Sequence, residues 1–311
     1  MKKLIITLLT TLILLSSCEL STEEVKPTIK LVTVALNYKG SCVRELPCTL
    51  NDQRDLVTQI TLLCEKAGYQ LETYTLTEDD GNFYYNGNLT GKTFSDDIKR
   101  LFTETLPSNS QSKDFTIFYY SGHGDDKGSL FIGLETSINI IPTKQKEWDL
   151  IYEDTVNNPN NKLTIDQLHS YITPLNGKKL IILDSCFSGH IVQNTDNAMT
   201  QIEAFEKGFE KLFSQEKIDN RNTWYITAAS SDERSYEDDG LGHGVFTYYL
   251  LQGLGFDTTN EIATMISPLG IDKEISLNEL FHYIDQNVKS KFTQHTQKGM
   301  SMLDLVLFKW N

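Results

Sequence analysis

FTIFYYSGHG at residues 115–124 and LIILDSCFSG at residues 180–189 are the two stretches whose reading decides the fold. Each begins as a short, continuous, mostly apolar run and stops in small polar residues and glycine. A run that long without polar alternation is buried on both faces, the habit of a strand inside a parallel sheet. Outward from these two, Lys30 to Leu36, Tyr69 to Leu76, Trp224 to Ala228 and Leu303 to Phe308 also read as strands. Helical spacing appears over Asp52–Ala67, where Leu56, Ile60, Leu63, Cys64 and Ala67 share a face. It recurs from Ser95, a candidate cap, to Leu106, then over Thr164–Ile172, 199–214 and Gly244–Leu254. Ser276 with Glu279 three residues later forms a capping box opening a helix to about Val288. Residues 126–132 suggest a small hairpin arm, and 134–162 read as an irregular polar excursion. Strands alternating with helices predict an α/β domain, a mostly parallel central sheet with helices on both faces. Reactive groups in such sheets lie beyond the carboxyl ends of the strands.

Composition narrows the function. The chain has 311 residues, 28 Lys+Arg against 42 Asp+Glu, and 39% hydrophobic residues. That excludes a disordered polyampholyte, a collagen-like fibre and a bundle of membrane helices. The net charge of -14 also argues against a nucleic-acid partner, since no basic block offsets it.

The first residues stand apart from the domain. Lys2 and Lys3 precede an apolar run from Leu4 to Leu15, followed by Ser16, Ser17 and Cys18. A basic start and a short apolar core make an export signal, too short for a stable bilayer span. Small residues ahead of Cys18 resemble the lipobox of bacterial lipoproteins, which implies residues 1–17 removed and Cys18 lipidated. The other reading is an ordinary cleaved signal with Cys18 there by chance. Residues 18–29 then read as the lipidated cysteine and a polar tether, and 30–311 as the domain, with a large part to about 215 and a small part from about 222. Loss of Lys2 and Lys3, with no acidic residue, moves the balance from -14 to -16. Glu19 in place of Asp favours an outer-membrane or exposed position in the cell envelope. Among the other cysteines, Cys64 falls on a buried helical face. Cys42 and Cys48, six residues apart, can pair as a disulfide outside the cytoplasm. Cys186 is left unpaired, a hazard for an exported protein unless it is shielded or used.

Chemistry concentrates at the two strand ends. One presents His123 between glycines, the other Cys186. If the strands are neighbours, an imidazole and a thiol emerge on one sheet edge, where they can act as base and nucleophile in acyl transfer. A backbone N–H freed by the glycines beside His123, with that of Cys186 as a second donor, would face the developing oxyanion. Taken singly, the alternatives are a buried small thiol, a histidine satisfied in a turn, or a metal site short of ligands.

The segments YSGHG (Tyr120–Gly124) and LDSCFSG (Leu183–Gly189) together resemble the paired signatures of caspase-like cysteine peptidases, closest to the bacterial and metacaspase branch. LPCTLND (Leu46–Asp52) resembles the opening of that family's first helix, Ala228-Ala229-Ser230 the strand end after the nucleophile, and GVFT (Gly244–Thr247) the small-subunit helix. The resemblance runs from about residue 30 to 309. It implies a caspase-like fold, a dyad of His123 and Cys186, and the backbone N–H groups of Gly124 and Cys186 as oxyanion donors. It also implies an S1 pocket, the site for the residue ahead of the cut (P1), formed by Asp52, Asp184 and Ser121. Two carboxylates in a narrow pocket select a guanidinium or ammonium at P1 over a carboxylate. The implied function is a membrane-anchored cysteine endopeptidase cutting polypeptides after Arg or Lys. The alternative is a non-catalytic surface lipoprotein using the scaffold to bind a partner.

The sequence departs from the metacaspase pattern in three places. Thr49 stands where a Cys is usual, Phe187 replaces a common His, and Gln193 falls where an activating-calcium Asp would be expected, so no cofactor or metal is implied. Gly242-His243-Gly244 repeats Gly-His-Gly but opens a helix, and His243 is not expected to be the base. The charged loop with Lys211, Lys217 and Arg221 reads either as a self-cleavage segment or as a solvated linker. A monomer is expected.

Overall fold

The structure, a computed structural model, describes residues 26–125, 129–187, 222–228, 235–238, 240–298 and 304–310, without the side chains of Ile165, Cys186 and Phe187. Residues 1–25, the expected 199–214 helix and Lys211, Lys217 and Arg221 lie outside it.

Five parallel strands make the spine of the sheet: β1 (Thr28–Leu36), β2 (Gln70–Asp79), β5 (Phe115–Gly124), β8 (Lys178–Phe187) and β9 (Thr223–Thr227), in the order 9-8-5-1-2. Antiparallel β3 (Asn82–Tyr85) and β4 (Asn88–Leu89) extend one edge, and β13 (Gln297–Lys298) lies antiparallel on β9 at the other. Short β6 (Ser129–Phe131) and β7 (Lys162–Thr164) branch from β5. The sheet is α/β and mostly parallel, as the sequence predicts.

Alternation along the strands sorts the core into two layers. Leu31, Ile117, Tyr119, Leu180 and Ile182 face α1 (Thr49–Ala67), α6 (Val245–Leu254) and α7 (Leu277–Lys291). Val32, Val34, Phe118, Tyr120, Ile181 and Leu183 pack the other way, with Ile98, Leu101 and Phe102 from α2 (Ser95–Arg100) and its continuation, and Leu168 and Ile172 from α5 (Ile165–Ile172). Burying each such side chain contributes about 1.5–3 kcal/mol, which is why two covered faces need uninterrupted apolar strands.

Several local expectations shift. The chain joins the sheet at Thr28, two residues before the expected domain start. The first helix begins at Thr49 rather than Asp52. Ser95 is not the cap of its helix: its N–H donates to Thr93 Oγ1 at 3.2 Å. That helix runs on as a π turn (Leu101–Thr105) into α3 (Leu106–Asn109), where Pro107 has no N–H to offer a regular ladder. The excursion at 134–162 is not wholly irregular, because α4 (Gln145–Asn157) forms there, its start closed by Glu147 accepting from the Thr143 and Lys144 N–H groups. The Ser276–Glu279 capping box forms as read, ahead of α7. The last strand, β14, is Val306–Lys309, paired with β12 (Glu274–Ser276).

Candidate active site

The register of β5 on β8 runs unbroken from Phe115↔Lys178 to Gly124↔Phe187. Within it His123 pairs with Cys186, and Ser121 with Asp184. The two glycine-bounded strand ends are therefore neighbours at the carboxyl edge of the sheet, the place the topology reserves for ligands. The Cys186 side chain lies outside the described atoms, so the pairing is one of backbone positions. Gly124 belongs to the β5 ladder, opposite Phe187 and Leu130.

His123 is 4% exposed and held from three sides. Its backbone N–H donates to Tyr38 Oη at 3.0 Å, and its carbonyl accepts from Tyr120 Oη at 2.6 Å. The Tyr38 ring packs on the imidazole with centroids 4.7 Å apart. Gly122 makes this possible, since a Cβ there would sit 2.6 Å from Tyr120 Oη and 2.8 Å from Tyr38 Oη. Nε2 is 2.7 Å from the Arg44 carbonyl, which can only accept, so Nε2 carries the proton. Nδ1 is then a bare lone pair, buried and without a hydrogen-bond partner among the described residues. Burial pulls the imidazole pKa down to about 4, so the ring is neutral at pH 7.

Beside His123 is a narrow, partly open cleft whose enclosed space is about 10 Å³, room for about one water. Asp52, Asp184, Glu237, Ser121, Thr49 and Ser235 contribute to its lining. Asp52 comes from the first turn of α1, where the helix dipole favours a carboxylate. It accepts from Ser121 Oγ at 3.1 Å, Gly244 N at 3.2 Å and His243 Nδ1 at 2.9 Å. Asp184, two residues before Cys186 on β8, accepts from Ser235 Oγ at 2.8 Å and Thr247 Oγ1 at 2.6 Å. Gly244 is wedged between the two carboxylates: a Cβ would lie 2.5 Å from Asp184 Oδ2 and 3.3 Å from Asp52 Oδ2. Crowding and burial raise all three acids. Asp52 rises to about 7 and Glu237 to about 8, both mainly by desolvation, and Asp184 rises for the same reason. A pocket of this kind stores unmet demand for a cation.

Asp52, Asp184 and Ser121, implied as pocket residues, do come together. Glu237, Ser235, Gly244 and Thr247 were not anticipated at the pocket. They arrive on β10 (Glu237–Asp238), β11 (His243–Gly244), α6 and the segment before them, from the small part of the chain. Thr49 spends its hydroxyl on the Leu36 and Leu46 carbonyls while lining the cavity. His243, 3% exposed, is away from the Cys186 register; its Nδ1 contacts Asp52 and its Nε2 lies 3.5 Å from Asp55 Oδ2. Cys42 and Cys48 are not joined to each other, so the disulfide expected as an option is not formed here; Cys42 Sγ lies 3.5 Å from Thr155 Oγ1 instead.

The caspase-domain peptidase family, Peptidase_C14, matches residues 37–306. The chain belongs to that family. The caspase-domain fold is also seen in the crystal structure of caspase-1 from Spodoptera frugiperda, which is similar with a TM-score of 0.54 over 92% of this chain and 91% of that one. At 11% identity that likeness speaks for the fold alone. No curated protein matches the sequence. Family membership makes a peptidase activity, and hence a polypeptide substrate, the frame for this caspase-domain chain.

Proposed function

We propose that the chain is a cysteine endopeptidase that cuts after Arg or Lys, using Cys186 as nucleophile and His123 as base. The observation that carries this reading is a carboxylate-lined cavity set beside the paired positions 123 and 186. Nδ1 of His123, its lone pair unused, takes the Cys186 proton as sulfur attacks the scissile carbonyl, and returns it to the departing amine. The Arg44 carbonyl holds the ring in the tautomer this needs and stabilises the charged ring that forms. N–H groups of Gly124 and Cys186 would receive the oxyanion. Water then cleaves the acyl-enzyme, with His123 acting in reverse. A guanidinium or ammonium drawn into the cleft, which has to widen from room for about one water to admit it, supplies the positive charge that Asp52, Asp184 and Glu237 lack, and gains charge-assisted hydrogen bonds in a desolvated site. An acidic P1 side chain would meet three carboxyl groups and be rejected.

A positional-scanning peptide library tests this, with wild type beside Cys186→Ala. Turnover confined to Arg and Lys at P1, and absent in Cys186→Ala, is the expected outcome. Faster cleavage after Asp, or equal rates in both proteins, overturns it. Peptide capture without turnover would favour the partner-binding alternative.

The same reading places Cys18 under lipid at the outer membrane or cell surface. Acyl chains add affinity with each buried CH2, and more than one chain is needed for stable anchoring. A monomer is supported by β13 covering the β9 edge. Self-cleavage near Lys211, Lys217 or Arg221 fits a basic preference; mass spectrometry showing one intact chain in both wild type and Cys186→Ala would exclude it.

A further inference from the structure

Two helices start at the cleft and run toward the opposite pole of the domain, where the loop after α6 reaches the end of α1. Asp52 and Lys66 lie near the two ends of α1, separated by about 21 Å at 1.5 Å per residue. α6 begins beside Gly244 and stops at Leu254, where Thr264 and Ser267 donate to the Gly255 and Gly253 carbonyls. The loop thus tied down presents Met265, Ile266 and Ile271 to solvent, with Ile266 82% and Ile271 91% exposed among the described residues. Trp310 joins them: Gly270 packs against its ring, and Lys66 Nζ sits 3.6 Å over it. Lys66 also donates to the Met265 carbonyl. Solvent-facing isoleucines beside a tryptophan, with lysines at the margin, make a composition suited to a water–lipid boundary. Apolar side chains enter the acyl region, the indole sits at the headgroups, and lysine stems lie along the boundary. Lys26, Lys273 and Lys309 flank this pole of an otherwise acidic chain, alongside Asp272 and Glu274, the latter paired with Lys309.

The start of the domain lies at the same pole. Lys26 Nζ donates to the Ala67 carbonyl, one residue from Lys66, and lies over the Tyr69 ring. Only residues 18–25 separate Lys26 from the expected lipid on Cys18. Eight residues reach at most about 27 Å fully extended, and on the order of 16 Å as a flexible chain. A lipid on Cys18 would therefore keep this pole, and not the cavity, at the bilayer.

We infer that Met265, Ile266, Ile271 and Trp310 form a membrane-docking surface that seats the domain on a lipid bilayer with its cavity facing away. The inference rests on the lipid-anchor reading for its geometry, while the surface itself can be probed without the anchor. The decisive measurement is tryptophan fluorescence of the mature lipidated chain in vesicles of phosphatidylethanolamine and phosphatidylglycerol whose acyl chains are brominated. The expected result is quenching that disappears in Trp310→Phe and persists in Trp148→Phe. The Ile266→Glu/Ile271→Glu double variant should stay in the vesicle fraction, lose the quenching and keep its peptidase turnover. A chain that remains anchored with Trp310 unquenched overturns the docking surface and leaves the lipid reading standing. A second protein, Cys18→Ser behind an ordinary cleavable signal so that the mature chain begins at residue 18, separates the two. If the wild-type protein carries no lipid, yet the Cys18→Ser protein is quenched by the same vesicles and loses quenching in the double variant, docking stands and anchoring fails. Absence of quenching in both proteins, or quenching replaced by concentration-dependent dimerisation through the same residues, rejects docking.

Discussion

Gly122-His123-Gly124 and Gly242-His243-Gly244 are the same three letters with opposite environments. Both imidazoles are buried. His123 sits at the carboxyl edge of the sheet against Tyr38, one nitrogen on a carbonyl and the other without a partner among the described residues. His243 sits between two carboxylates, Asp52 and Asp55, with Arg54 closing the far side through a two-point contact to Asp55. The first arrangement leaves a lone pair for proton transfer. The second uses the ring to hold a neighbouring carboxylate. What separates them is the strand before them: a buried run delivers His123 to the ligand-facing edge, whereas a two-residue strand delivers His243 beneath the pocket floor.

The largest expected effect is on the first triplet. His123→Ala should lower kcat/KM by about 10²–10⁴-fold with kcat carrying the loss, the range for removing a general base. His243→Ala should retain hydrolysis. Reversed outcomes in steady-state assays would exchange the roles assigned to the two rings. Next comes the pocket. Asp184→Asn should cost about 10²-fold in kcat/KM for an Arg substrate, mainly through KM, as for one partner of a desolvated charge pair. Neutral P1 substrates should gain relative to Arg. His243→Asn comes third, with KM raised several-fold and kcat little changed, because an amide can still donate to Asp52; a fall in kcat alone would place His243 in the chemistry.

The smallest effect is one of pH. Asp52 and Glu237 must lose protons to receive a cation, and with values of about 7 and about 8 they do so between pH 6 and pH 9. KM for Arg substrates should therefore fall as pH rises through that window, and Glu237→Gln should flatten its upper half. Stability runs the other way. Both groups hold protons more tightly folded than unfolded, so their contribution is fully present below about pH 4 and is lost as pH rises through 7 to 8. Thermal stabilisation by a small guanidinium compound should accordingly be greater at pH 8.5 than at pH 6. Equal shifts at the two pH values would mean that the pocket acids are already ionised.

The sheet was legible because continuous burial leaves a continuous apolar record, as in Phe115–Tyr120. α4 was not, because only a narrow stripe, Ile151 and Thr155, is buried and the remainder reads as polar surface. At the site, His123 and Cys186 stood out by their glycine-bounded strand ends, while Asp52 and Asp184 were picked out by resemblance and Glu237 not at all. Glu237 reaches the cavity through the antiparallel pairing of Glu237 with Gly244, a contact no local periodicity encodes. Ser235 arrives on the same segment, and its role depends on Asp184 more than fifty residues earlier.

The hydrogen-bonded ladder joining β5 to β8 has a consequence for how the proposed peptidase could be controlled. Positions 123 and 186 are rungs of one stiff frame, so no hinge can part them in the resting protein. An off state is more cheaply built at the far wall of the pocket, where Gly244, Ser235 and Glu237 hang on short turns. Latency here would be a matter of admitting the substrate side chain, with the backbone pairing of positions 123 and 186 unchanged.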